Sequence, residues 1–274
     1  MDDRTIDDLW YWYLTGKKLA SFPEAYERAF DAYRKVYRLF PGHPRCFECD
    51  IPMAGLAGIL LRPWGSHPSS FNSRFCSHCE TFARSREAGA EVELTLLFAD
   101  IRDSTRLAEE IGTSRFKDLI KRFYKVTSDV LIQHNAMVNH LMGDQVIGLF
   151  VPRFSGTDHA RVAIQAAQDL LRVTGHEQPG GPWVPVGIGI HTGLAYVGMV
   201  GSSKGVNEIA VLGSAANLTA RLSSHALTGE VLLSAETSKA ANLDTTGLKS
   251  RLLELKGISN PVLVSVLPPT AAQR

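Results

Sequence analysis

The sequence has no long hydrophobic run, no excess of either charge and few cysteines. Near the N-terminus the longest apolar stretch, Met53 to Leu61, is nine residues with two glycines. A membrane-spanning helix needs about 20 apolar residues, so no membrane partner is expected. The 29 basic and 28 acidic side chains leave a net charge of +1. Duplex nucleic acid calls for a marked basic excess, so no nucleic-acid partner is expected either. The opening Met1-Asp2-Asp3-Arg4 is acidic, whereas a secretory signal begins basic. A cytoplasmic location follows as the expectation. There, the four cysteines are read as metal ligands or free thiols ahead of disulfides. With 274 residues, 45% hydrophobic and 21% charged, the chain is expected to fold as one large or two modest domains.

Residues 1–40 read as a helical segment. Ile6, Leu9, Trp10, Tyr13 and Leu14 recur at helical spacing. Ser21-Phe22-Pro23-Glu24 looks like a stop and a fresh start, with Pro23 in the first turn. Ala25, Ala29, Tyr33, Val36 and Phe40 then mark a second apolar helix face. Aromatic side chains are dense here. Packing against a neighbour accounts for them, and no residue pattern argues for a small-ligand pocket.

Pro41-Gly42-His43-Pro44 breaks the helix and opens a module over 41–80. Cys46-x-x-Cys49 and Cys76-x-x-Cys79 stand 26 residues apart. Each pair can turn two thiolates toward one ion, and two pairs complete a tetrahedral structural zinc site, one Zn2+ per chain. An unmetallated thiol cluster and redox disulfides are the alternatives. His78 lies inside the second pair and is read as exposed. Residues 81–90 form a polar linker, helical from about Glu80, that either transmits movement or only tethers.

From 91 to 268 the pattern is β-α-α-β-β-α-β. Strands are expected near 92–99, 136–141, 145–151, 184–192, 195–201, 206–212, 231–234, 249–256 and 261–267. Helices are expected near 104–112, 114–133, 157–174, 214–225 and 235–241. Paired strands flanked by helices predict an α+β sandwich of the ferredoxin-like kind.

Two acids sit at the tips of two apolar runs. Leu94-Thr95-Leu96-Leu97-Phe98 ends at Asp100, and Gly143-Asp144 leads into Gln145-Val146-Ile147-Gly148-Leu149-Phe150. Strand tips that bring two carboxylates together can hold a divalent cation over a phosphate. Taken singly, either Asp reads as a turn or N-cap residue. After Asp100, the segment Arg102, Asp103, Ser104, Thr105 enters a helix. Its free backbone N–H groups favour a polyphosphate beside the carboxylate. Asn217 and Arg221 are four apart on one helix face. An amide and a guanidinium there suit a sugar oxygen and a phosphate, although an exposed face needs no such role.

Phe98-Ala99-Asp100-Ile101-Arg102-Asp103-Ser104-Thr105, Gly143-Asp144, Gly187-Ile188-Gly189-Ile190-His191-Thr192-Gly193 and Asn217-x-x-x-Arg221 occur in that order. Together they resemble the catalytic domain of class III adenylate/guanylate cyclases, over about residues 91–267. The resemblance implies a head-to-tail homodimer with two interfacial sites and a nucleoside triphosphate substrate, ATP by default. It implies two Mg2+ or Mn2+ ions per site on Asp100, Asp144 and the carbonyl of Ile101. It also implies that Asn217 orients the ribose and Arg221 contacts the α-phosphate, with Lys256 near the phosphates. The products would be the 3′,5′-cyclic nucleotide and pyrophosphate.

The sequence departs from the family at three positions. Adenylate cyclases of the family usually read the base with a Lys four residues before the second metal Asp and an Asp or Thr seven before the Asn. Those positions here are His140 and Ala210. Ala210 offers no side-chain hydrogen bond, and His140 is a different donor. Asp103 stands where a glycine is common. GTP or a pyrimidine triphosphate, or a nucleotide-binding homologue without turnover, are therefore the rival readings. An interaction module led by the cysteine segment is the third.

Overall fold

In the computed structural model, residues 3–22, 24–69, 73–84, 88–202, 206–258 and 260–269 are described. Side chains 3–5, 82–84, 139–142, 201–202 and 206–208 are not. Pro23, Arg86, Glu87 and the side chain of His140 lie outside the described residues.

In chain order come α1 (Asp3–Thr15), α2 (Glu24–Arg38), α3 (Gly55–Leu60), a 3-10 turn (Arg62–Trp64) and α4 (Ser77–Arg84). Next are β1 (Gly89–Ile101), α5 (Ser104–Ile111), α6 (Thr113–Gln133), β2 (Met137–Met142) and β3 (Gln145–Phe150). Then follow α7 (Pro152–Ser155), α8 (His159–Val173), β4 (Val186–Ser202), β5 (Val206–Leu212) and α9 (Ser214–His225). The described chain closes with β6 (Val231–Ser234), α10 (Ala235–Ala240), β7 (Lys249–Leu253) and β8 (Val262–Leu267). The fold is α+β. Two compact units divide the chain: one comprises 1–91 and 196–211, the other 92–195 and 212–274.

In the larger unit the strands order as β2-β3-β1-β4-β6-β8-β7. Alternation explains how both sheet faces are covered. Leu97, Ala99 and Ile101 of β1 and Val231 and Leu233 of β6 point into one core with Phe123, Val130 and Leu131 of α6 and Ala163, Ala167 and Leu170 of α8. Leu232, Val264 and Val266 point the other way, into a second core with Leu222 of α9. A period of two on strands against 3.6 on helices produces this division. Each fully buried Leu or Phe contributes about 1.5–3 kcal/mol.

The sequence pattern suggested two strands at 184–192 and 195–201. They are one continuous strand, β4, with Gly193 inside it. Gly187 and Gly189 serve a second purpose in this strand. A Cβ on Gly189 would run into the backbone of Leu222 and Ser223, and one on Gly187 would meet the Ala226 carbonyl oxygen at 2.7 Å. These glycines let the C-terminal half of α9 lie directly on the β4 backbone.

Hydroxyls and imidazoles thread the middle of the sheet. Thr95 of β1 hydrogen-bonds His159 and Thr192, both at 2.8 Å. Thr192 donates to Thr237 at 3.2 Å, Thr237 meets Ser234 at 3.2 Å, and Ser234 meets His191 at 2.8 Å. All six side chains are buried. Burial pushes the pKa of both histidines down, against weaker upward pulls from Glu93 and Asp158 on His159 and from Glu236 on His191.

The smaller unit packs Leu9, Trp12 and Phe22 into its own cluster. Arg34 of α2 donates to the Glu48 carbonyl at 2.7 Å, and Arg38 to Asp50 at 2.7 Å, fastening α2 to the first cysteine turn. β5 pairs with β4.

Candidate active site and cysteine cluster

Asp100 closes β1, and the strand register sets it opposite Gln145 at the start of β3. The Ile101 amide donates to the Asp144 carbonyl at 3.0 Å, so the two acids are brought to one end of the sheet by backbone pairing. Gly143, with φ of 62°, makes the β2–β3 turn. Tyr124 of α6 braces that turn by donating to the Gly143 carbonyl at 2.6 Å. An open cleft of about 530 Å3 is lined by Asp100, Ile101, Arg102, Asp103, Ser104, Thr105 and Asp144. Burial raises the Asp100 pKa and the nearby Asp144 charge adds to the rise, while Arg102 opposes it.

Asp103 has φ of 53°, a left-handed conformation. Glycine adopts it freely, and Asp is among the few other residues that tolerate it. The first α5 hydrogen bond runs from Leu107 N to the Asp103 carbonyl at 2.9 Å, so the amides of residues 104–106 precede the helical ladder. Ser104 Oγ donates to the Asp144 carboxylate in a short hydrogen bond. The Arg102 guanidinium lies against Asp100 in an ion pair.

Asn217 and Arg221 share one face of α9 and are exposed. They do not line the cleft that holds the two acids, and neither does the exposed Lys256. His140 falls in β2, where the pairing with β3 shifts register between Val138 and Leu141. Ala210 is half-buried in β5. The roles of Arg102 as a cap on Asp100 and of Gly187 and Gly189 as the seat of α9 were not apparent in the sequence. The only available signal was the clustering of glycines in an otherwise apolar strand.

In the smaller unit Cys46, Cys49, Cys76 and Cys79 are all buried, and their sulfurs lie within 4.8 Å of one another. Cys46 and Cys79 sulfurs are 3.9 Å apart, and Cys49 and Cys76 sulfurs 3.6 Å. The thiols are free. A tetrahedral ion with Zn–S arms of about 2.3 Å sets its sulfurs about 3.8 Å apart, so the spacing suits one such ion. Asp50, with φ of 63°, turns the first loop, and its amide returns to the Cys46 carbonyl at 3.0 Å. The second pair starts α4, where the Glu80 amide meets the Cys76 carbonyl at 3.1 Å. Hydrogen bonds from Cys49, Cys76 and Cys79 hold the Cys46 pKa down, and the bond to Cys46 pushes that of Cys79 up. Nearby, an apolar cavity of about 260 Å3 is walled by Trp10, Tyr13, Tyr33, Tyr37, Cys49 and Cys79 among others. No residue pattern in the sequence had indicated it.

The adenylate and guanylate cyclase catalytic domain family matches residues 87–261. A curated relative, adenylate cyclase 1 of Rhizobium meliloti, is 27% identical over 47% of this chain and 20% of its own length. The adenylate cyclase of Anabaena cylindrica is 27% identical over 49% of this chain and 28% of its own. The matched stretch thus spans under a third of these two relatives. The guanylyl cyclase Cya2 structure superposes with a TM-score of 0.58 at 28% identity, covering 65% of this chain and 92% of that one. The adenylyl cyclase CyaB of P. aeruginosa gives 0.56 at 26% identity, covering 65% and 95%.

Proposed function

Because the chain belongs to the adenylate and guanylate cyclase catalytic domain family, we propose that it is a nucleotidyl cyclase. It converts a nucleoside triphosphate, ATP by default, into the 3′,5′-cyclic nucleotide and pyrophosphate at a homodimer interface. The observation that carries this reading is the meeting of Asp100 and Asp144 in one cleft beside the start of α5. Their donor set, two carboxylate groups and the nearby Ile101 backbone, is oxygen-rich and suits Mg2+ or Mn2+. Such ions, when bound, neutralise phosphate oxygens and lower the pKa of an attacking hydroxyl.

The chain's own groups do the positioning. Ser104 fixes the Asp144 carboxylate. The amides at the start of α5 offer N–H donors to a phosphate. Asn217 and Arg221 stand exposed on α9, outside their own chain's cleft. In a two-fold dimer they would serve the partner's cleft, Asn217 on the ribose and Arg221 on charge growing at the α-phosphate. Ala210 brings no side-chain hydrogen bond to a base, so GTP or a pyrimidine triphosphate is the alternative substrate. In the smaller unit the four cysteine sulfurs would hold one structural Zn2+, which would tie the two cysteine turns together.

Purified protein incubated with each of the four ribonucleoside triphosphates and Mn2+ tests the activity. Cyclic product and pyrophosphate from at least one is expected. No product from any, with the dimer intact, would make the domain a nucleotide-binding homologue without turnover.

A further inference from the structure

Arg102 makes more contacts than a phosphate-binding residue waiting at a cleft would. Its guanidinium pairs with Asp100 Oδ1, and its Nε donates to the Asp100 carbonyl at 3.4 Å. Its Nη1 donates to the Ser224 carbonyl at 3.1 Å and to that of Ala226 at 3.4 Å. These two carbonyls belong to the last turn and C-cap of α9, where helix carbonyls lack intrahelical partners and favour a cation. Space for the side chain comes from Gly187, whose Cβ would approach Arg102 Nε to 3.1 Å. The Arg102 side chain is 16% exposed and that of Asp100 20%. Both acids are thus engaged from within the chain: Asp100 Oδ1 by Arg102 and Oδ2 by Gln145 Nε2 at 3.4 Å, and one oxygen of Asp144 by Ser104.

We propose that Arg102 is an internal cation that caps Asp100 and competes with the divalent ion for it. The two α9 carbonyls retain the guanidinium when Asp100 is given up. This rests on the reading of Asp100 and Asp144 as the metal acids. A fixed positive charge against one ligand opposes an incoming dication by Coulomb repulsion and by holding a lone pair the ion would use. Arg102 therefore raises the metal concentration at which the site assembles. It is a positioning residue, since it acts through Asp100. Lysine would keep the charge but lose the planar fork that reaches Asp100 and two carbonyls at once.

The test is Mn2+ affinity of the zinc-loaded full chain without nucleotide, read from free Mn2+ by electron paramagnetic resonance. Arg102→Met and Arg102→Gln should each bind Mn2+ about three- to tenfold more tightly than wild type, with Arg102→Lys in between. The Mn2+ dependence of turnover should shift to lower concentration in parallel. Arg106→Met removes an exposed cation from the same cleft wall and should change affinity less than twofold. Unchanged or weaker binding in both Arg102→Met and Arg102→Gln overturns the proposal. So does equal tightening in Arg106→Met, which would make net charge the cause. Absence of Mn2+ binding in wild type and variants alike would overturn the metal reading and this proposal with it. The Arg102→Gln variant and a melting curve guard against a misfolded Arg102→Met.

Discussion

The two units hold their clustered ligands in opposite ways. In the smaller one, four buried thiols gather with their sulfurs within 4.8 Å of one another. In the larger one, two carboxylates line an open cleft and are held by Arg102, Gln145 and Ser104 of the chain itself. On the proposed reading the soft thiol set would serve folding and the hard carboxylate set would serve substrate. The contrast separates what removing each set should cost: architecture in one unit and chemistry in the other.

The sharpest way to break this contrast is at the open cleft. Asp144→Ala should lower turnover by about a thousandfold or more, with only a small fall in melting temperature, since the half-buried side chain gives up one hydrogen bond, that from Ser104. Retained turnover would remove Asp144 from the metal role. Cys46→Ser should do the reverse. Zinc content by mass spectrometry should fall from near one per chain, and hydrogen exchange should rise across residues 45–80, because metal binding at such a site is folding free energy. A metal-free wild-type protein that is folded over that segment would contradict it.

A smaller effect should come from the seat of α9. Gly189→Ala drives a methyl into the backbone at Leu222 and Ser223, and overpacking of this kind costs about 1–3 kcal/mol. Chemical denaturation would report it, and turnover should fall too because α9 carries Asn217 and Arg221. The smallest effect is on pH. Burial lowers the pKa of His159, His176 and His191. The unfolded chain therefore takes up protons first as pH falls through about 6.5, the free-histidine value. Stability is complete above that pH and declines below it toward the lower folded-state values. Melting temperatures from pH 7.5 to 5.5 should follow this slope, and His159→Gln should flatten it.

Much of the larger unit could be read from its sequence. The apolar runs on either side of Asp100 and Asp144 marked the two strands, and the fixed spacing from Asn217 to Arg221 marked one helix face. The two cysteine pairs were equally plain, since the spacing alone dictates convergent thiols. Gly193 misled, because a glycine within an apolar run resembles a turn when the neighbouring strands are unknown. The bond between Arg102 and Ser224 joins residues far apart in the chain, and no local pattern encodes such a contact. Arg102 is only two residues from Asp100, but what anchors its guanidinium there depends on where α9 ends.

The buried line of hydroxyls and imidazoles from His159 through Thr95, Thr192, Thr237 and Ser234 to His191 also governs how the sheet can be mis-assembled. Sliding β1 by one residue against β4 would turn Thr95 to the opposite face. Thr192 and His159 would then lose a partner in a place water does not reach. The threonines thus act as keyed teeth: they add little to the correct alignment and penalise each wrong one. The acid at the tip of β1 can arrive at the cleft only when the teeth mesh.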